Sequence, residues 1–108
     1  FKIIHCDDFQ TEGIDKIVKR IRKRVGNNPL YLSIDIDVLD PAFAPGTGTP
    51  EIAGMTTREL VNVLRGLSGL NLISADVVEV SPAYDHAEVT SLAAATIIYE
   101  LTNLFAKN

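Results

Sequence analysis

Two carboxylates, Asp35 and Asp37, stand two residues apart at the end of the apolar run Leu30 to Ile36. Carboxylates at i and i+2 of a strand point to one face. Two such groups side by side repel unless a cation sits between them, so the pair reads as a divalent metal site. Asp40 follows, just before Pro41. It is a further candidate ligand, or it accepts backbone N–H groups and holds a turn, which is the reading we favour. Glu79 lies near the end of a second apolar stretch, Ile73 to Val80. An acid there is costly unless it is paired or used, which leaves a site residue and a structural ion pair both open. Asp7 and Asp8 read as a solvated loop leading into a helix, with metal ligation as the alternative. His86 is a ligand, a proton carrier or, with Asp85, a helix cap; the cap is favoured.

The elements that must position these groups alternate. Phe1 to His5 reads as a short strand and Cys6 to Phe9 as a polar turn. Thr11 to Gly26 reads as one helix, with Ile14, Ile17, Val18, Ile21 and Val25 in a single apolar stripe. Thr11 or Asp8 is its candidate cap, and Gly26 its stop. Leu30 to Ile36 is a strand whose nearly continuous apolar run predicts helices on both of its faces. The loop from Asp37 to Met55, about 18 residues long, carries Pro41, Pro45, Gly46, Gly48 and Pro50, as expected of a fixed path against a site. Thr56 to Leu67 is a helix opened by the capping box Thr56-Thr57-Arg58-Glu59. Leu70 to Val80 holds the last strand, ended by Ser81-Pro82, and Val89 to Phe105 the last helix. That helix is apolar almost all round and requires burial on several sides. The order β-α-β-loop-α-β-α predicts an α/β fold with a parallel sheet.

At 108 residues the chain is at most one domain, and 46% hydrophobic residues are enough for a core. The net charge of −4 argues against general affinity for nucleic acid or an anionic membrane. Six bases lie between Lys16 and Arg24, without interleaved aromatics, and read as a solvated helix face. No apolar run is expected to reach the roughly 18 residues of a membrane span. A single cysteine, Cys6, cannot form an internal disulfide.

The stretch Ser33 to Pro50, SIDIDVLDPAFAPGTGTP, resembles the metal-binding signature of the ureohydrolase superfamily, the arginase and agmatinase family. The similarity runs through consecutive residues, Asp-x-Asp-x-x-Asp-Pro-x-x-x-Pro-Gly-x-Gly-x-Pro, and AFAPGTGTPE looks more like the agmatinase branch. Asp76 to Asp85, DVVEVSPAYD, resembles a second segment of that family. The resemblance implies a three-layer α/β/α sandwich, of which residues 1–108 would be the C-terminal portion of a single ureohydrolase domain. It implies hydrolysis of a guanidino compound to urea and an amine, agmatine to putrescine first, then guanidinobutyrate, then arginine. Two Mn2+ ions in the complete enzyme would supply a hydroxide at neutral pH. On the same resemblance Asp35 and Asp37 are metal ligands, Glu79 faces the substrate guanidinium, and Thr49 lines the site. The family also has a histidine-bearing motif and an Asp-x-His-x-Asp motif, and neither occurs here; His5 and His86 are the only histidines. The isolated 108 residues are therefore expected to lack useful hydrolase activity, since two carboxylates alone hold Mn2+ weakly. A homo-oligomer, a small guanidino substrate and a cytoplasmic location complete the expectation.

Two other classes remain. A phosphotransferase of haloacid dehalogenase type also places Asp-x-Asp after a strand, but Leu39 stands where that family has Thr or Val. Alternatively the piece is a non-catalytic folding or assembly module that self-associates through its apolar last helix.

Overall fold

The computed structural model describes residues 1–107. Among these residues four α-helices and two strands follow one another as α1 (Cys6–Glu12), α2 (Ile14–Val25), β1 (Leu30–Asp35), α3 (Thr57–Gly66), β2 (Leu72–Val78) and α4 (Val89–Ala106). β1 and β2 pair in parallel, with Ser33 opposite Asp76 and Asp35 opposite Val78. The α/β class with a parallel sheet is therefore as expected.

The helices form for local reasons. Thr56 opens α3 with both halves of its capping box: the Glu59 N–H donates to Thr56 Oγ1 at 3.1 Å, and the Thr56 N–H donates to Glu59 Oε2 at 2.8 Å. Leu60, Val63, Leu64 and Leu67 then face inward, as the spacing predicts. α2 buries Ile17 and Val18 and stops at Gly26, which has φ 57°. Arg22 does not belong to a purely solvated face: its guanidinium donates to the carbonyls of Gly66 and Ser68, both at 2.9 Å, and ties α2 to the end of α3. α2, α3, α4 and the strands share one core around Ile34, Ile36, Leu39, Leu64, Ile97 and Leu101. Fully burying one such aliphatic side chain contributes about 1.5–3 kcal/mol.

Several expectations are corrected. Phe1 to His5 is not a strand; it has no neighbour to pair with among the described residues, and a strand exists only through its ladder. Cys6 to Phe9 is helical rather than a turn, and Asp8 accepts the His5 N–H at 2.9 Å at the start of α1. The single helix over Thr11–Gly26 is two, broken at Gly13 with φ 83°. The helices pack one face of β1, not both: Leu32 and Ile34 join the core, whereas Tyr31 is 56% exposed and Ser33 is exposed. On that open face the Asp76 carboxylate accepts from Ser33 Oγ at 2.6 Å and from the Tyr31 hydroxyl, a cross-strand pairing that helps set the register.

The last helix also departs from expectation. α4 is long and apolar enough to cross a membrane by length and composition, with a mean hydropathy of 1.3 over its 18 residues. Its inner side carries Thr90, Ala93, Ala94, Ile97, Glu100, Leu101 and Leu104, all buried. Glu100 is held there by Arg65 of α3, with Oε1 2.5 Å from Nη2 and Oε2 3.1 Å from Nε. Its outer side leaves Leu92, Ile98, Tyr99 and Phe105 exposed.

Candidate active site

β1 ends at Asp35, and the chain turns at once into a single 3-10 turn, Ile36–Val38. Asp35 makes that turn itself: Oδ1 accepts the Asp37 N–H at 3.1 Å. The two acids therefore do not share a strand face, as the two-residue spacing suggests. They are brought together by a turn that one of them caps. Ile36 and Leu39, both fully buried, flank Asp37 and anchor it from either side.

The loop beyond is fastened at several points. Leu39 and Met55 form an isolated parallel bridge, with the Met55 N–H on the Val38 carbonyl at 2.8 Å and the Asp40 N–H on the Met55 carbonyl at 2.9 Å. Asp40 uses both carboxylate oxygens on backbone, accepting from Ala42 N–H at 2.8 Å and Ala53 N–H at 3.0 Å. It holds the turn, as favoured. The loop then returns Thr49 to the strand end, where its hydroxyl donates to Asp37 Oδ2 at 2.8 Å.

Glu79 stands at the exit of β2, exposed, with φ 66°. It is not an acid buried in a strand; a left-handed kink carries it out of the ladder. A positive φ in a residue other than glycine is uncommon, and such outliers concentrate at functional sites. Burial pushes the Asp35 carboxyl above its ordinary range; the neighbouring Asp37 and Glu79 push the same way, and the Asp37 N–H opposes them. The three acids thus share one electrostatic neighbourhood.

That crowding fits a cation. Asp35 and Asp37 offer hard carboxylate oxygens, and their mutual repulsion is what a divalent ion relieves. Among the described residues no group of three or more His, Cys, Asp or Glu side chains is placed to hold a metal ion, so the pair by itself is not a complete metal site. Asp37 and Thr49 also line a cavity of about 640 Å³ together with His5, Cys6, Asp7 and Glu51. Asp35 and Glu79 do not line it. His86 is exposed, and its backbone N–H donates to Asp85 Oδ1 at 2.9 Å.

Asp85 is the cap favoured at the start of α4. Oδ1 also accepts the Thr90 N–H at 2.9 Å, and Oδ2 accepts the N–H and hydroxyl of Ser91, both at 3.0 Å. Partial burial pushes its carboxyl up, but the bonds from Thr90 and Ser91 outweigh this and hold it far below the usual carboxylate range. Sequence reasoning missed Thr90, whose buried Oγ1 accepts the Gly46 N–H at 2.8 Å. No local pattern signals a contact between residues so far apart in sequence.

The arginase-family model matches residues 1–103. An agmatinase of Photorhabdus laumondii is 50% identical over 106 residues, covering 98% of this chain and 34% of that protein. A guanidinopropionase of Pseudomonas aeruginosa is also 50% identical, over 107 residues, covering 99% of this chain and 34% of its own length. Among solved structures, the proclavaminate amidino hydrolase of Streptomyces clavuligerus superposes with a TM-score of 0.96 at 44% identity, over 98% of this chain and 35% of that one. The chain spans about a third of the length of these relatives.

Proposed function

Because this chain belongs to the arginase family, we propose that it forms part of the active site of a hydrolase that cleaves a guanidino compound to urea and an amine. The observation that carries the proposal is the linked set Asp35, Asp37 and Thr49 at the end of β1, with the charge of Glu79 reaching Asp35 from the exit of the neighbouring parallel strand. The C-terminal ends of parallel strands are where α/β folds assemble their sites.

Asp35 and Asp37 would hold Mn2+, with the remaining ligands supplied from outside residues 1–108. Bound there, a pair of such ions supplies a hydroxide at neutral pH and stabilises developing negative charge. Asp35 is oriented for this by the Asp37 N–H, which occupies one of its oxygens and leaves the other. Thr49 fixes Asp37 in the same way through Oδ2. Glu79, exposed at the kink, is free to pair with a planar guanidinium, a charge-assisted contact that orients the carbon to be attacked. The isolated 108 residues, with two carboxylate ligands, would turn over poorly.

Agmatine is the proposed substrate, giving putrescine and so a place in polyamine synthesis. The agmatinase among its relatives supports it. The 50% identity to a guanidinopropionase makes an acidic-tailed guanidino compound the second reading. The exposed apolar side of α4 supports a homo-oligomer, and the location proposed is cytoplasmic. The test is urea release by the complete protein with Mn2+, offered agmatine, guanidinopropionate, guanidinobutyrate and arginine. Turnover of agmatine at least about tenfold above the rest is expected, and no urea from any of them would overturn the proposal.

A further inference from the structure

Gly46 is clamped from three directions. Its N–H donates to Thr90 Oγ1 at 2.8 Å, and its carbonyl accepts the Ser81 N–H at 2.8 Å. The site where a Cβ would stand lies 2.8 Å from both the Cα and the Cβ of Asp85. Only a glycine lets the loop come this close to the start of α4. Next to it Thr47 is buried, with Oγ1 unpartnered, so the segment is held by its backbone rather than by its own side chains.

The consequences reach the site from two sides. Three residues beyond Gly46 is Thr49, whose hydroxyl holds Asp37. Two residues before Ser81 is Glu79 at its left-handed kink. Gly46 is therefore the point where the loop bearing Thr49 and the strand exit bearing Glu79 are tied together. Thr90 is completely buried, and its own N–H is held by Asp85 Oδ1, which fixes where its hydroxyl stands.

We propose that Thr90, on the first turn of the last helix, is a positioning residue: its buried hydroxyl latches Gly46 and so sets Thr49 and Glu79 in register. Thr90 touches no reacting atom. It acts through the backbone of Gly46, and this bears on catalysis only if the hydrolase reading above is right. A buried N–H that loses its acceptor has no water to replace it, so the loop must move to find a new partner.

The test compares Thr90→Val, which keeps the shape and removes the acceptor, with Thr90→Ser, which keeps the acceptor. Both are made in the complete protein. Hydrogen exchange is read by mass spectrometry on peptides spanning residues 44–49 and, as a folding control, on α3. Thr90→Val is expected to speed exchange at Gly46 by about tenfold while α3 is unchanged, and Thr90→Ser to stay within about threefold of wild type. With a guanidino substrate, kcat is expected to fall by about tenfold or more in Thr90→Val with KM changed far less, and Thr90→Ser to restore it. Unchanged exchange at Gly46 in Thr90→Val would overturn the latch, as would a Thr90→Ser variant as defective as Thr90→Val. If wild type releases no urea but the exchange contrast holds, the latch stands and the hydrolase assignment falls. Should Thr90→Val fail to fold, Gly46→Ala, which crowds Asp85 and leaves Thr90 intact, must show the same kcat loss; normal kcat there would refute the proposal.

Discussion

Gly54→Ala tests the fastening that holds Asp37 in place. A Cβ on Gly54 would stand 2.6 Å from the Asp40 nitrogen, 2.8 Å from the Leu39 carbonyl carbon and 2.9 Å from the Val38 oxygen. All three are backbone atoms, so no side chain can swing aside to make room. The chain must part between Leu39 and Met55, where the Met55 N–H meets the Val38 carbonyl at 2.8 Å and the Asp40 N–H meets the Met55 carbonyl at 2.9 Å. Each such bond contributes about 0.5–1.5 kcal/mol net, and an orphaned buried partner adds to the loss. A cost of about 2 kcal/mol follows, roughly a 30-fold fall in the folded-to-unfolded ratio. The control is Gly48→Ala, where a Cβ meets nothing within 4 Å and the change should lie within about 0.5 kcal/mol. Urea unfolding followed by far-UV circular dichroism reads both, and the Gly54 variant should lose about 1 M in midpoint. A Gly54→Ala midpoint equal to that of Gly48→Ala would refute the reasoning.

Three further outcomes are expected. Thr56→Ala removes the hydroxyl that accepts the Glu59 N–H and should cost about 1 kcal/mol in urea unfolding, with Thr56→Ser near wild type. Leu64→Ala empties the centre of the core, where Leu64 is fully buried, and should cost about 2–5 kcal/mol by the same measurement. The Glu100 carboxyl is held below its ordinary 4.5, first by its hydrogen bonds from Arg65. A lowered folded pKa means that its stabilisation is fully present above pH 4.5 and is lost as pH falls through the folded value. The stability gap between wild type and Arg65→Met should therefore be complete at neutral pH and fade in acid, as urea midpoints across pH will show; a gap independent of pH would contradict the pairing.

What could be read from the sequence was local. The Thr56–Glu59 box places the start of α3 because capping is decided within one turn. The stripe from Ile14 to Val25 marks α2, but no stripe before Ile14 announces α1, so Cys6 to Phe9 reads as a turn and Thr11 as the start of a single helix. Phe1 to His5 has a strand's residues, but pairing depends on a neighbour that no local pattern encodes. The acidic pair was legible as a pair, though not its geometry: Asp35 leaves the ladder to cap the turn that presents Asp37. Glu79 stood out as an acid in an apolar stretch, while its φ of 66° has no counterpart in the residue pattern. Thr49 was visible only through family resemblance, and the Gly46–Thr90 and Arg65–Glu100 contacts not at all. Tertiary partners far apart in sequence leave no periodic trace.

The most direct test of the central claim is Mn2+-dependent urea release by the complete protein, with Asp37→Asn beside wild type. Agmatine should yield urea and putrescine in equal amounts with wild type, and a loss of about 100-fold or more is expected in a folded Asp37→Asn variant. Wild-type rates in that variant would contradict the assignment of Asp37 to the metal, and with it the function proposed for this site.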